Sequence, residues 1–404
     1  MKYALTALTA LPVLLAGCAS VPSDTSGGNE DLKLNQIQVL GTHNSYSLSL
    51  DPKLAAVLDP IFSEGIANMT ESMDAERSAA FQEYHPNFDK VSFSEGLNYG
   101  YPEGLTAQLD AGLKSLEIDV FRDPQGGRFL NPVGYQMLVS RGVPQNELAE
   151  HNTTDLEKPG FKVLHTADID FRSTCNLLAS CLGELRDWSD ANPDHAPIFI
   201  MLEAKDRGFP GLPGATEILP FDAAAFDGLD AEIVSALGRD RLVTPDDIRG
   251  DFETLESAVL DDNWPTLEES RGKFVFLLLT AIDTEGLSGY FAGRPNLEGR
   301  VAFLRSEPGQ PHAAFLLLDN AIVRADEIPE RVRQGYLVRT RSDIETYEAK
   351  VNDTTRAEAA FVSGAQIVST DFYKPGNPYG TDYVITLPGG AAFRCNPVNA
   401  ECGD

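Results

Sequence analysis

Short, continuous apolar runs recur along the chain, and helical stretches separate several of them. Runs of this kind are typical of buried parallel strands, because helices cover both faces of such strands. Residues 177–188 carry leucines on one face and are expected to form one of the helices. The apolar runs are 37–41, 113–120, 161–165, 197–203, 273–279, 313–318, 336–340 and 366–370. Eight strands that alternate with helices predict an α/β fold, a (β/α)8 TIM-like barrel.

Two stretches are longer than a minimal barrel requires. Residues 51–104 separate the first two predicted strands, and residues 206–272 separate the fourth and fifth. We interpret both as elaborated βα loops, the part of a barrel that usually determines the substrate. The barrel is expected to occupy residues 32–404 as one domain.

The first 31 residues are expected to be a targeting segment and a tether. Lys2 precedes an apolar run at 4–16 that is too short to span a bilayer. Residues 15–18 read LAGC and resemble the lipobox of bacterial lipoproteins. We therefore interpret 1–18 as a lipoprotein signal peptide with Cys18 as the acylated residue, and 19–31 as a flexible tether. The alternative is an ordinary signal peptide with a chance cysteine.

The residue after Cys18 is Ala19 rather than Asp, which by analogy with lipoprotein sorting favours the outer membrane over the inner one. We expect an exported protein at the outer membrane, the cell surface or the periplasm. Besides the acylated residue, an even number of cysteines remains: Cys175, Cys181, Cys395 and Cys402. In an exported chain these favour disulfides, and their spacings favour two local pairs, 175–181 and 395–402. A zinc site is the alternative, but neither pair has the C-x-x-C spacing.

The net charge of −29 limits the partners that the surface of the protein can bind. A strongly acidic surface argues against nucleic acid, and it argues against docking on anionic membranes by a basic patch. We therefore expect membrane contact through the lipid anchor and a monomeric protein. Most of the excess carboxylates are expected to be solvated surface, and a minority remains for binding a cation.

Polar residues at the ends of the predicted strands predict a metal site. Glu117 and Asp119 lie two apart on a strand, so they point to the same face, where they repel each other without a cation. Glu203 and Asn44 complete an oxygen ligand set that favours Ca2+ over Mg2+ and zinc. Under the alternative, Glu117 and Asp119 pair with cationic side chains instead: Lys114, Arg122 or Lys205.

Two histidines, His43 and His165, end predicted strands on the same rim. A neutral imidazole accepts a proton and an imidazolium donates one, and phosphodiester cleavage requires both steps. The other histidines fall in predicted loops or at strand starts and are expected to be structural: His85, His151, His195 and His312.

With these residues in place, the chain resembles the calcium-dependent phosphoinositide-specific phospholipase C family, above all its bacterial secreted branch. The matching segments keep their order over nearly the whole mature chain. They are 41–46 (GTHNSY), 108–113 (QLDAGL), 116–120 (LEIDV), 164–166 (LHT), 175–205, 244–247 (TPDD), 338–343 (VRTRSD) and 364–371.

The resemblance implies that His43 and His165 are the catalytic pair and that Asn44, Glu117, Asp119 and Glu203 bind Ca2+. It implies attack by the inositol 2-hydroxyl on a phospholipid phosphate, which releases diacylglycerol and a cyclic inositol phosphate. We assign His165 as the general acid. His43 is expected to stabilise the phosphorane or to help deprotonate the attacking hydroxyl, a task that a carboxylate can share.

Lys205 and Arg339 are candidate substrate contacts, with ion pairs to the acidic cluster as the alternative. The long stretch 51–104 and Lys114-Ser115 depart from the family pattern and bear on the headgroup, so another phosphodiester is a further candidate substrate.

Two alternative functions follow from the same residues. A glycerophosphodiester phosphodiesterase also uses a barrel, two histidines, a Glu-x-Asp pair and a divalent metal, but that family usually begins with His-Arg-Gly where this chain has His43-Asn44-Ser45. A calcium-dependent surface binding protein without turnover is the second alternative.

Overall fold

The structure is a computed structural model that describes residues 31–208, 212–280 and 285–402. The predicted signal peptide, Cys18 and nearly all of the predicted tether lie outside the described residues. The strands are β1 (Ile37–Thr42), β2 (Ser115–Asp123), β3 (Gly160–Val163), β4 (Ile198–Lys205), β5 (Leu242–Val243), β6 (Phe274–Leu279), β7 (Ala302–Leu304), β8 (Phe315–Leu317), β9 (Leu337–Arg341), β10 (Ile367–Thr370) and β11 (Phe393–Cys395).

Helices occupy most connections between these strands. They are α1 (Pro52–Ser72), α2 (Ala75–Tyr84), α3 (Phe93–Gly96), α4 (Leu105–Asp110), α5 (Val133–Ser140), α6 (Leu178–Ala191), α7 (Ala223–Leu237), α8 (Pro245–Arg249), α9 (Leu255–Leu260), α10 (Ser288–Phe291), α11 (Glu327–Arg333), α12 (Tyr347–Val351) and α13 (Thr355–Val362). Along the described residues, none of the helices combines the length and hydropathy needed to cross a bilayer.

Parallel strands form the centre of the molecule. Their order is β7-β6-β4-β2-β1-β10-β9-β8, and each strand runs parallel to its neighbours. A single parallel bridge between Arg305 and Phe315 connects the end of β7 to β8 and joins the two edges of the curled sheet. The predicted (β/α)8 architecture is confirmed, and the carboxyl ends of these strands share one rim.

One predicted barrel strand was wrong and another was missed. The run at 161–165 corresponds to β3, which pairs antiparallel with β2 and lies outside the ring. Its sequence resembled a barrel strand because Phe161 and Val163 are buried in the main core. The missing barrel strand is β7, because Arg300 and Arg305 limit the apolar run around it to the four residues 301–304.

The main core fills the barrel and the space beneath its helices. The strands β4 and β6 are buried along almost their whole length, which explains their continuous apolar sequence. The helix predicted at 177–188 is α6, and it buries Leu178, Leu182 and Leu185 in this core. Each such side chain contributes about 1.5–3 kcal/mol by leaving water. This core fixes the strands whose ends carry the polar residues.

Both long insertions fold into helices on the barrel. Residues 51–104 contain α1, α2 and α3, and residues 206–272 contain α7, α8, α9 and the short strand β5. The first insertion follows β1, so it stands at the rim formed by the carboxyl ends of the strands. Asp51 begins α1 by accepting hydrogen bonds from the backbone nitrogens of Lys53 (2.7 Å) and Leu54 (3.2 Å).

Two local disulfides form, as predicted. Cys175 and Cys181 join the segment before α6 to that helix, with a Cα–Cα distance of 5.6 Å. Cys395 and Cys402 close the C-terminal segment, with a Cα–Cα distance of 5.8 Å. Cys395 ends β11, which pairs antiparallel with residues 37–39 of β1. The last strand of the chain therefore lies against the first.

Candidate active site

The turn after β1 brings His43 and Asn44 over β2. At the end of β1, Gly41 is opposite Ser115, where a β-carbon on residue 41 would lie only 2.4 Å from the Ser115 Cβ. Only glycine permits so close an approach. Beyond it the Ser45 backbone nitrogen donates to the Glu117 carbonyl (2.9 Å), and the Glu117 nitrogen donates to Ser45 Oγ (2.8 Å). Asn44 takes a left-handed conformation, with φ of 47°, within this turn.

Three carboxylates meet beside this turn. Glu117 and Asp119 point from β2 to the same face, and Asp119 is in register with Glu203 on β4. Each residue offers an oxygen within 4.8 Å of the others, and all three residues are buried. The structure thus brings together the three acidic residues that the sequence analysis grouped.

Cationic side chains balance part of this charge. Arg339 Nη2 lies 3.0 Å from Glu117 Oε2, and its Nη1 lies 2.7 Å from Asp319 Oδ1. Lys205 Nζ lies 2.9 Å from Asp119 Oδ2 and 2.8 Å from Glu203 Oε1. Of the two roles open to Lys205 and Arg339, substrate contact and ion pairing, the structure contains the ion pairs.

The other two cationic side chains considered as partners of Glu117 and Asp119 lie against other residues. Arg122 Nη1 lies 3.3 Å from Asp222 Oδ2, and Lys114 Nζ lies 5.6 Å from the centre of the Trp188 ring. The positive charge beside the cluster therefore comes from β4 and β9.

Burial shifts the acid–base behaviour of the cluster. It raises the pKa of Glu117 to about 7, against the opposing charge of Arg339. It also raises the pKa of Asp119 to about 6, against the opposing charge of Lys205. The neighbouring carboxylates add to both pKa shifts. A bound dication would reverse this trend, because it stabilises the ionised forms.

The donor set fits calcium. Asp119 Oδ1 is buried without a hydrogen-bond partner among the described residues, which is costly unless a cation satisfies it. The Asn44 amide donates through Nδ2 to Tyr99 Oη at 2.7 Å, which holds the side chain in a fixed position. Hard oxygen ligands of this kind select Ca2+ or Mg2+, and several carboxylates with an amide favour Ca2+.

Each predicted catalytic histidine is held by an aspartate through Nδ1. His43 Nδ1 lies 3.0 Å from Asp371 Oδ1 at the end of β10, and His165 Nδ1 lies 2.8 Å from Asp170 Oδ2. The side chains of His43 and His165 are 19% and 20% exposed, so both rings reach the mouth of the barrel. This arrangement leaves Nε2 of each ring as the atom that can exchange a proton.

The two histidines differ in their charge environment. Burial lowers the pKa of His43 well below its ordinary value, and the positive charges of Arg341 and Arg339 lower this pKa further. Burial also opposes protonation of His165, but the hydrogen bond with Asp170 and the negative charges of Asp170 and Asp119 together outweigh it, so the pKa of His165 is raised. At neutral pH the first ring is therefore a proton acceptor and the second is the better donor.

Sequence reasoning missed the residues that position these rings. Asp371 also pairs with Arg341 Nη2 at 3.1 Å, and its backbone nitrogen donates to buried Asp343 at 2.7 Å. Asp170 faces Thr166 across a tight turn directly after the histidine. The sequence indicates these two aspartates only by their positions. Asp371 directly follows a predicted strand, and Asp170 lies five residues after His165.

The family described as "Phosphoinositide phospholipase C, Ca2+-dependent" matches residues 32–397. The chain belongs to this family. It is therefore a Ca2+-dependent phosphodiesterase that acts on phosphoinositides, and the match favours this family over glycerophosphodiester phosphodiesterases. Membership likewise indicates an enzyme rather than a surface binding protein without turnover. Comparison with curated proteins finds no match.

Solved structures of phospholipases C share the fold. The calcium-dependent phosphoinositol-specific phospholipase C of a Pseudomonas species is 13% identical, covering 93% of this chain and 99% of that chain with a TM-score of 0.50. Its myo-inositol complex is 14% identical, covering 93% and 99% with the same TM-score of 0.50. The calcium-dependent enzyme of Streptomyces antibioticus is 17% identical, covering 84% and 95% with a TM-score of 0.48. Similarity to the Pseudomonas enzyme supports the barrel architecture alone.

Calcium should stabilise the folded protein through this cluster. At a free Ca2+ concentration about one hundred times the Kd, we expect the free energy of unfolding to rise by about 2.7 kcal/mol, because the unfolded chain lacks the site. Denaturant unfolding with Ca2+ and with chelator measures this. The Asp119→Asn variant should lose most of this increase in the free energy of unfolding. The Asp123→Asn variant, which changes a residue on the same strand but outside the cluster, should keep it. An equal calcium response in the Asp119 and Asp123 variants would contradict the assignment.

Proposed function

We propose that the chain cleaves phosphatidylinositol-type phosphodiesters into diacylglycerol and an inositol phosphate, with a cyclic phosphate as the first product. The observation that carries the proposal is the pair of histidines, each held at Nδ1 by an aspartate, beside a buried three-carboxylate cluster on one rim. This arrangement supports a reaction that needs a proton acceptor, a proton donor and a cation near one phosphate.

The reaction needs one proton transfer on each side of the phosphorus. His43 Nε2 accepts the proton of the inositol 2-hydroxyl as its oxygen bonds to phosphorus. The bond from phosphorus to the glycerol oxygen breaks, and that oxygen takes the proton of His165 Nε2. The lowered pKa of His43 and the raised pKa of His165 support this division of roles. Water can then open the cyclic phosphate by the reverse transfers.

We assign the calcium ligands to Asn44, Glu117, Asp119 and Glu203. When bound, Ca2+ supplies positive charge to a phosphoryl oxygen and to the developing negative charge. The proximity of the three carboxylates and the fixed Asn44 amide support this assignment. Lys205 and Arg339 stand beside the same carboxylates, so we propose them as secondary contacts to the substrate phosphate.

The first test is headgroup release from phosphatidylinositol micelles by the protein lacking residues 1–18. Calcium-dependent release with diacylglycerol as the co-product supports the proposal. Cleavage of glycerophosphoinositol without action on the phospholipid would contradict the substrate assignment. Cleavage that continues undiminished with chelator would contradict the metal assignment.

In the same assay, removing either catalytic histidine should lower kcat by about 10²–10⁴-fold, the usual contribution of general acid–base catalysis. The variants are His43→Ala and His165→Ala. His85→Ala is a matched control, because His85 Nδ1 also lies 2.8 Å from a carboxylate, that of Glu345, but its side chain is 51% exposed. Equal loss of activity in all three variants would refute a specific role for the pair.

Asp170→Asn should shift the alkaline limb of the pH–rate profile to lower pH. The Asp170 carboxylate stabilises the protonated form of His165 and so raises its pKa above the ordinary value. Without that charge the donor loses its proton at a lower pH, and the alkaline decline in kcat/KM begins earlier. The pH dependence of kcat/KM for phosphatidylinositol measures this, and an unmoved alkaline limb would remove His165 as the acid.

We also propose that the protein is an exported, monomeric lipoprotein held at the outer membrane or cell surface through Cys18, with 32–404 as its catalytic domain. The lipobox-like residues 15–18 and the two disulfides in the described part of the chain support export. Cys18→Ser should abolish incorporation of labelled palmitate and release the protein from membranes. Incorporation that survives this substitution would exclude Cys18 as the anchor.

A further inference from the structure

Lys205 supplies the counter-charge for two members of the carboxylate cluster. Its ammonium lies 2.9 Å from Asp119 Oδ2 and 2.8 Å from Glu203 Oε1. Apart from this ion pair, Asp119 Oδ2 and Glu203 Oε1 have no hydrogen-bond partner among the described residues. One flexible side chain thus stands at the two oxygens best suited to a metal ion.

The register of the strands explains how Lys205 reaches this position. Asp119 lies opposite Glu203, and Phe121 lies opposite Lys205, two residues further towards the carboxyl end of β4. Glu203 and Lys205 share a face of the strand, so the lysine stem folds back from the rim towards the cluster. The Lys205 side chain is 14% exposed, which connects it to the mouth of the barrel.

Calcium and the ammonium group need the same oxygens. Ca2+ binds oxygen ligands at roughly 2.3–2.6 Å, so an ion among the three carboxylates would lie close to the present position of Lys205 Nζ. The two positive charges repel each other strongly in a buried site. The carboxylates project from paired strands, whereas the lysine ammonium ends a flexible four-carbon stem. The lysine is therefore the group that moves.

We infer that Lys205 competes with Ca2+ for Asp119 and Glu203, and that calcium binding expels its ammonium towards the mouth of the barrel. The inference rests on the proposed function, since it requires calcium at this cluster. Once expelled, the ammonium lies on the side from which a phosphodiester enters. Calcium binding then adds a second positive charge for the substrate, and one side chain couples the two binding events.

Calcium binding to the chelator-treated full chain, measured by titration calorimetry, tests the competition. Lys205→Met should bind Ca2+ at least about tenfold more tightly than the wild type, because the competing charge is gone. Lys162→Met is the matched control: Lys162 is also buried and pairs with a carboxylate, at 3.5 Å from Asp123 Oδ2, but outside the cluster. Its calcium affinity should stay within about twofold of the wild type.

A second measurement uses the wild-type chain and does not depend on the folding of a variant. Lysine amines are labelled by reductive methylation, with Ca2+ or with chelator, and each peptide is quantified by mass spectrometry. Calcium should increase the labelling of Lys205 several-fold, whereas Lys162, whose side chain is fully buried, should label slowly in both conditions.

The outcomes separate this inference from the proposed function. Equal or weaker calcium affinity in Lys205→Met, or Lys205 labelling that calcium leaves unchanged, overturns the competition while the calcium site stands. Absence of Ca2+ binding in both the wild type and Lys205→Met overturns the calcium site and the competition together. Binding by Lys205→Met that exceeds the wild type supports both.

Discussion

The cost of burying three carboxylates within 4.8 Å of one another is the constraint on which the site depends. Each ionised group loses hydration and repels its neighbours, so the cluster persists only with compensating positive charge. Arg339, itself buried, supplies part of that charge from β9 and is held in turn by Asp319. The barrel makes this possible because strands distant in sequence end at one rim.

The same charge distribution shifts the pKa values of the two histidines in opposite directions. Both rings are oriented by an aspartate, yet the surroundings of His43 contain Arg341 and Arg339, while the carboxylates of Asp170 and Asp119 favour the charged form of His165. Proton acceptor and proton donor are therefore distinguished by their neighbours rather than by their own geometry. Asp371 links the two features, because it orients His43 and also pairs with Arg341.

Much of the architecture could be predicted because buried parallel strands have a clear apolar signature. The exceptions have physical causes: β3 buries apolar side chains although it lies outside the ring, and the apolar run around β7 is only four residues long, 301–304. Glu117, Asp119 and Glu203 could be grouped because strand ends converge and alternate residues share a face. The aspartates that hold the histidines could not be predicted in this way. Asp170 comes back to His165 only through a turn of the folded chain, and Asp371 reaches His43 only because β10 lies beside β1. Ion pairing by Lys205 depends on side-chain direction, which the sequence pattern does not determine.

The pairing of β11 with β1 has a consequence for the order in which the molecule is assembled. Residues 37–39 contact residues 393–395, so nearly the whole chain separates the two partners. A contact of this kind has a large loop-closure entropy and forms late. Until β11 is in place, residues 37–39 of β1 lack this partner. The pairing of the first and last of the described strands therefore follows a ring that the parallel strands between them have already formed.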